Sequence, residues 1–98
     1  MGGKKRRVIF ANKKLENDYR RLATSKHPEE MRLYSVLKQI RTTLRRRYLS
    51  GKRIGRTKIP AVYKRIFHID DLWTLNLLHD RTALYSIVGN EIWIVDMP

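Results

Sequence analysis

Arg81 follows His79 by two residues and precedes Tyr85 by four, so a guanidinium, an imidazole and a phenol lie close together in the chain. The planar guanidinium fork matches the oxygens of a phosphate. Imidazole exchanges a proton near neutral pH, and a tyrosine serves either as an acid or as a platform for a stacked base. Each residue also has a plainer reading. Arg81 and His79 suit a solvated connection between strands, and Tyr85, among Ile87, Ile92 and Ile94, suits packing with a polar tip. No neighbour at a suitable spacing orients His79, and His27 stands apart at a helix start. His68, Asp70 and Asp71 lack a strict ligand spacing, so no metal site is expected. The absence of cysteine removes thiolate nucleophiles, disulfide staples and zinc fingers, and fits a reducing compartment.

A second group of residues is positioned for binding. Lys38, Arg41 and Arg45 recur at helical spacing, and Arg46, Lys52, Arg53 and Arg56 carry the positive run onward, with Lys64 and Arg65 beyond. Almost no acids interleave to form pairs one helical turn apart. The 98 residues carry 22 Lys and Arg against nine Asp and Glu, a net +13. That charge is unevenly divided. Residues 1–65 hold 21 of the basic residues and four acids, a net +17, whereas residues 66–98 hold Arg81 and five acids, a net −4. Unrelieved positive charge costs stability by self-repulsion, so an anionic partner is expected. RNA suits the pattern better than a DNA groove, because no Cys/His module, heptad zipper or helix-turn-helix is present.

The elements that must hold these residues are legible in outline. A chain of this length buries one core, and with 42% hydrophobic residues it forms an ordered one, which predicts a single domain over 1–98. Residues 1–7 read as a basic tether and Val8–Ala11 as a short strand. Leu15, Tyr19, Leu22 and Ala23 share a helical face behind Asn12 as N-cap, predicting a helix over about 13–24. A second helix starts at Pro28 with Glu29 and Glu30 in its first turn, continues through Leu33, Leu37, Ile40, Leu44 and Tyr48, and stops at Ser50-Gly51. The short connection predicts an antiparallel helical hairpin. Residues 51–63 read as a basic loop, anchored by Ile54, Ile59 and Val62. The apolar run Val8–Ala11 is too short for a signal-peptide core, and nothing reaches membrane-spanning length, so a soluble cytoplasmic protein without membrane contact is expected.

Leu72–Leu78, Thr82–Val88 and Ile92–Val95 read as three strands of an antiparallel meander. Gly89-Asn90 suits a two-residue hairpin and pairs Val88 with Glu91. Tyr85 and Ile87 then lie beside Ile94 and Ile92 on one face. Leu84, Ser86 and Val88 share the other face with Trp93 and Val95. A two- or four-residue first turn adds Trp73, Leu75 and Leu77 to the second face, and Thr74, Asn76, Arg81 and Ala83 to the first. The face with both tryptophans is more uniformly apolar, so it is expected to receive the helical hairpin and leave the Tyr85 face open as a cleft.

Three segments stand in a telling order: Ile59-Pro60-Ala61-Val62-Tyr63, then Asp71-Leu72-Trp73-Thr74-Leu75-Asn76-Leu77, then Ala83-Leu84-Tyr85-Ser86-Ile87-Val88-Gly89-Asn90-Glu91-Ile92. With them the chain resembles the RelE/ParE superfamily of type II toxin–antitoxin toxins, especially archaeal RelE-like members. The resemblance implies an α+β fold with an N-terminal strand, a helical hairpin packed on one sheet face and a three-stranded antiparallel meander. It further implies a translation-inhibiting toxin that cuts mRNA on the ribosome, contacts ribosomal RNA, uses no cofactor or metal, and is neutralised by a cognate antitoxin protein. Cutting RNA through its own 2′-hydroxyl requires a proton acceptor, cations on the phosphate and an acid for the leaving oxygen. Arg81, Tyr85 and His79 are the catalytic candidates for those roles. Lys38, Arg41, Arg45, Arg46, Lys52, Arg53, Arg56, Lys64 and Arg65 are the RNA-binding candidates. The chain departs from the family pattern at Thr74, Asn76 and Thr82, where basic residues are frequent; beyond the position of Asp96-Met97-Pro98 the family usually carries a tail with His, Tyr or Arg. Two other outcomes stay open: a catalytically degenerate relative that binds RNA and antitoxin, and a ParE-like gyrase inhibitor.

Overall fold

The computed structural model describes residues 6–98, apart from the side chain of His79. The protein is α+β, and its described residues form three α-helices and a five-stranded mixed sheet. Strand β1 is Arg7–Phe10, so the tether does not extend to residue 7, and residues 1–5 of it lie outside the described residues. Helix α1 is Lys13–Leu22, and the Asn12 side chain caps it by accepting from the Lys14 and Leu15 amides at 2.9 and 3.4 Å. Helix α2 is Pro28–Arg46, about 28 Å long. It buries Val36, Leu37, Ile40 and Leu44 on one face. Arg21 pairs with Glu30 and Tyr19 stacks on Tyr34, so positions descend along α1 as they rise along α2 and the hairpin is antiparallel.

The basic segment after α2 is not simply a loop. It contains β2 (Lys52–Arg53), a 3-10 turn at Arg56–Lys58 and, after Pro60, the start of helix α3 (Ala61–Phe67). His68 ends α3 with a left-handed backbone (φ 53°) and an amide bond to the Lys64 carbonyl at 2.9 Å. Three strands follow: β3 (Trp73–Asn76), β4 (Thr82–Val88) and β5 (Glu91–Asp96). The sheet order is β1-β5-β4-β3-β2, with β1 parallel to β5 and the other pairs antiparallel. The first and last strands are therefore neighbours.

The β4–β5 register agrees with expectation: Val88 faces Glu91, Ile87 faces Ile92 and Tyr85 faces Ile94. The β3–β4 register does not. Leu77–Arg81 is a five-residue connection containing a 3-10 turn, and an odd count inverts the side on which β3 presents its residues. Trp73 consequently faces Tyr85, and Leu75 faces Ala83. The helical hairpin packs on this Tyr85 face, burying Leu37, Ile40 and Leu44 against Leu75, Tyr85, Ile92 and Ile94. It does not pack on the face of Leu84, Ser86 and Trp93. That face carries a second core, in which Ile59, Ile69 and Leu72, with Tyr63 and Phe67 of α3, meet Leu84 and Val95. Four consecutive β4 residues, Ala83 to Ser86, are buried, because both faces of the central strand are covered. Neither face is left as an open cleft.

Candidate nucleic-acid interface

A groove of about 480 Å³ runs between the free side of β1 and helix α2. Arg6 and Arg7 stand on the strand side, Lys38, Arg41, Arg45 and Arg46 on the helix side, with Val8, Ile9 and Tyr19 completing much of the lining and no carboxylate present. The helical period aligns the second row. At 1.5 Å per residue, Lys38 to Arg46 spans about 12 Å of one helix flank. Pairing of β1 with β5 supplies the first row, since it lays the start of the chain beside α2.

Arg6 is held by two residues, Gly89 and Tyr48. Its guanidinium donates to the Gly89 carbonyl at 2.7 Å and to the Tyr48 hydroxyl at 3.1 Å, and lies 4.2 Å from the centroid of the Tyr48 ring. Arg41 lies over the Tyr19 ring at 5.4 Å. The ion pairs among the described residues join Arg7 to Glu91, Arg20 to Glu16, and Arg21 to Asp18 and Glu30. The Arg21 guanidinium and the Ser25 hydroxyl hold the Glu30 carboxyl below its usual range. Arg20 and Arg21 thus engage Glu16, Asp18 and Glu30 of the hairpin. Arg6, Lys38, Arg41, Arg45 and Arg46 have no carboxylate within 4.0 Å, and a polyanion is their natural counter-charge.

The remaining binding candidates separate from this group. Lys52 and Arg53 form β2 at the opposite sheet edge, four strand spacings or about 19 Å from β1. Arg56 is exposed in the 3-10 turn, and Lys64 and Arg65 are exposed on α3, which covers the other sheet face. The apparent stripe is therefore at least two surfaces. Arg6 and Arg7 escaped sequence reasoning because they read as a tether. The charged start of a β-prone run was their only signal, and the parallel β1–β5 pairing that gives it meaning is a long-range contact.

Of the catalytic candidates, Tyr85 is separated from Arg81. Tyr85 is fully buried, with its hydroxyl bonded to the Tyr48 carbonyl and the Gly51 amide, so it faces the core and offers neither an accessible acid nor a base platform. Burial raises its pKa above the ordinary tyrosine value. Arg81 is exposed and lines a separate cleft of about 260 Å³ with Glu29, Arg32, Leu33 and Val36. The Leu77 amide donates to the Arg81 carbonyl at 2.7 Å, and the Leu78 amide to the Gln39 side chain at 3.0 Å, which seats the connection on α2. His79 belongs to the same 3-10 turn; its side chain lies outside the described residues. Among the described residues no three His, Asp or Glu side chains converge as metal ligands, and no helix is long and apolar enough to cross a membrane.

Comparison with protein-family models, curated proteins and solved structures returns no match to this chain.

Proposed function

We propose that this chain is an RNA-binding protein of the RelE/ParE type, the toxin of a toxin–antitoxin pair, which docks on message and ribosomal RNA through the β1–α2 groove. One observation carries the reading: six cations line one groove without a carboxylate among them, and five have no acidic partner within 4.0 Å. Lys and Arg rows of this kind engage phosphates and position a protein without reading sequence. The segments around Ile59-Pro60, Asp71–Leu77 and Ala83–Ile92 support the family, and an acidic antitoxin protein is the expected partner of the same basic surface.

A ribonuclease reading has its own support. Arg32 and Arg81 stand with Glu29 in the second cleft, which unites cations for a phosphate with a carboxylate for a proton. The test of the main proposal is RNA affinity measured across a salt series, for the unmodified protein and for a variant with Lys38, Arg41, Arg45 and Arg46 replaced by Ala. Affinity that stays flat with salt, or survives the fourfold replacement, rejects the groove as the RNA site. Translating ribosomes mixed with the protein, followed by mapping of new 5′ ends, test the ribonuclease reading separately.

A further inference from the structure

Phosphate binding leaves one feature of the groove unused. Tyr19 lies in its lining, partly exposed, with Tyr34 stacked on its ring at 5.2 Å and 14° and Phe10 against it at 5.3 Å. This aromatic stack anchors the ring in the hairpin core. Over it stands Arg41, a cation with no acidic partner and a surface-exposed position. A guanidinium above an aromatic ring occupies the space that a planar base would take. Released from the ring, Arg41 would remain within the basic row and reach a backbone phosphate.

The aromatic lining favours one strand. A duplex keeps its bases stacked inside, away from any side chain, so it would leave Tyr19 unused. Unstacked bases of single strands, by contrast, settle on aromatic rings and guanidinium planes.

We infer that the β1–α2 groove is a single-strand site, in which the backbone lies between Arg6 and the Lys38–Arg45 row and one base stacks on Tyr19 where Arg41 now stands. This rests on the RNA reading above and adds to it the form of RNA selected. Neither Tyr19 nor Arg6 is among the residues whose sequence spacing suggested RNA contact.

The test uses the full chain and three labelled probes: a single-stranded RNA of about ten nucleotides, the same sequence as a blunt duplex, and an abasic strand of equal length. Single strands are expected to bind roughly tenfold or more tightly than either other probe, within the range of base stacking on aromatic residues. Tyr19→Phe should keep that preference and Tyr19→Leu should abolish it, with thermal midpoints checking that both fold. Because the abasic strand carries the phosphates without the bases, the unmodified protein alone decides the matter if Tyr19→Leu does not fold. Equal binding of all three probes, with steep salt dependence, overturns the single-strand inference and leaves RNA binding intact. Absence of binding to any probe overturns both.

Discussion

The Tyr85 hydroxyl donates to the Tyr48 carbonyl oxygen at 2.8 Å, which ties the centre of β4 to the chain leaving α2. The same hydroxyl accepts from the Gly51 amide at 3.1 Å, so one phenol holds the turn between the helical layer and β2. Gly51 is required by proximity, since a Cβ there would collide with the Tyr85 hydroxyl and the Thr74 carbonyl. Tyr85→Phe leaves a buried carbonyl and amide short of a partner and is expected to cost about 1–3 kcal/mol in urea unfolding. RNA affinity of the folded protein should not change. A large loss of affinity or cleavage at unaltered stability would instead return Tyr85 to the site.

The groove makes a quantitative prediction about salt. If Arg6, Lys38, Arg41, Arg45 and Arg46 each neutralise one phosphate of a single strand, log K should fall with log salt at a slope of about −3.5. Each replacement by Ala should reduce that slope by about 0.7. Lys64→Ala and Arg65→Ala, on the opposite side of the sheet, should leave it in place. A slope that responds equally to replacements on both surfaces would show a diffuse electrostatic attraction and no dedicated groove.

Tyr63 closes the second core by donating to Asp96 at 2.6 Å. Burial, reinforced by the adjacent carboxylate, pushes its pKa up to about 12 from an ordinary 10. The unfolded chain therefore loses this proton first as pH rises. Between pH 10 and 12 the unfolded state binds fewer protons, so stability falls across that window, whereas below pH 10 the contribution is fully present. Urea midpoints followed through the window should decline less steeply for Tyr63→Phe than for the unmodified protein. An unchanged decline would assign the alkaline loss to Tyr34 and Tyr85, whose pKa values are also raised.

Much of this fold is visible in local patterns, and what is hidden depends on distant contacts. Asn12 as a cap, the Leu37–Leu44 stripe and the Gly89-Asn90 turn are nearest-neighbour features, and Gly89 has the positive φ of 59° that such a turn demands. The side of the sheet that receives the hairpin is not a local feature. It depends on the parity of Leu77–Arg81, where Asp80 adopts a φ of 56° and no glycine marks the turn. Helix α3 escapes notice because seven residues give only Tyr63 and Phe67 as an inward pair, while Val62 and Ile66 remain exposed. The basic run is readable as charge, but its division between two surfaces follows from sheet order alone. The cleft of Arg81 likewise needs α2 to bring up Arg32, about fifty residues away in sequence.

Asp71 offers a sharper test of the sheet than any apolar residue. Its carboxylate accepts from the Trp73 indole at 2.8 Å, the Ser86 hydroxyl at 2.5 Å and the Ile87 amide at 3.2 Å. Ser86 is fully buried, and this bond satisfies its hydroxyl. Asp71→Ala strands a hydroxyl and an amide in the sheet and is expected to destabilise by about 2–4 kcal/mol. Tryptophan emission should change as Trp73 loses its acceptor. A loss below about 0.5 kcal/mol would show that water replaces the carboxylate, and that Asp71 is dispensable to the fold.

Arg81 separates binding from chemistry. It lines its cleft with Glu29 and Arg32, yet neither arginine lies within 4.0 Å of that carboxylate, so the three groups surround space without neutralising one another. A phosphodiester there would meet two guanidinium groups and a proton acceptor for its 2′-hydroxyl. Arg81→Ala, an exposed replacement outside both cores, should change stability by no more than about 0.5 kcal/mol. It should also leave the salt-dependent affinity of the β1–α2 groove unaltered. If the protein cleaves ribosome-bound message, Arg81→Ala and Glu29→Gln should each lower the yield of new 5′ ends while RNA remains bound. Cleavage undiminished by either replacement would remove this cleft from the chemistry. If the unmodified protein yields no new ends while binding persists, the chain is an RNA-binding relative without catalysis, and the exposed arginine has only a solvated role.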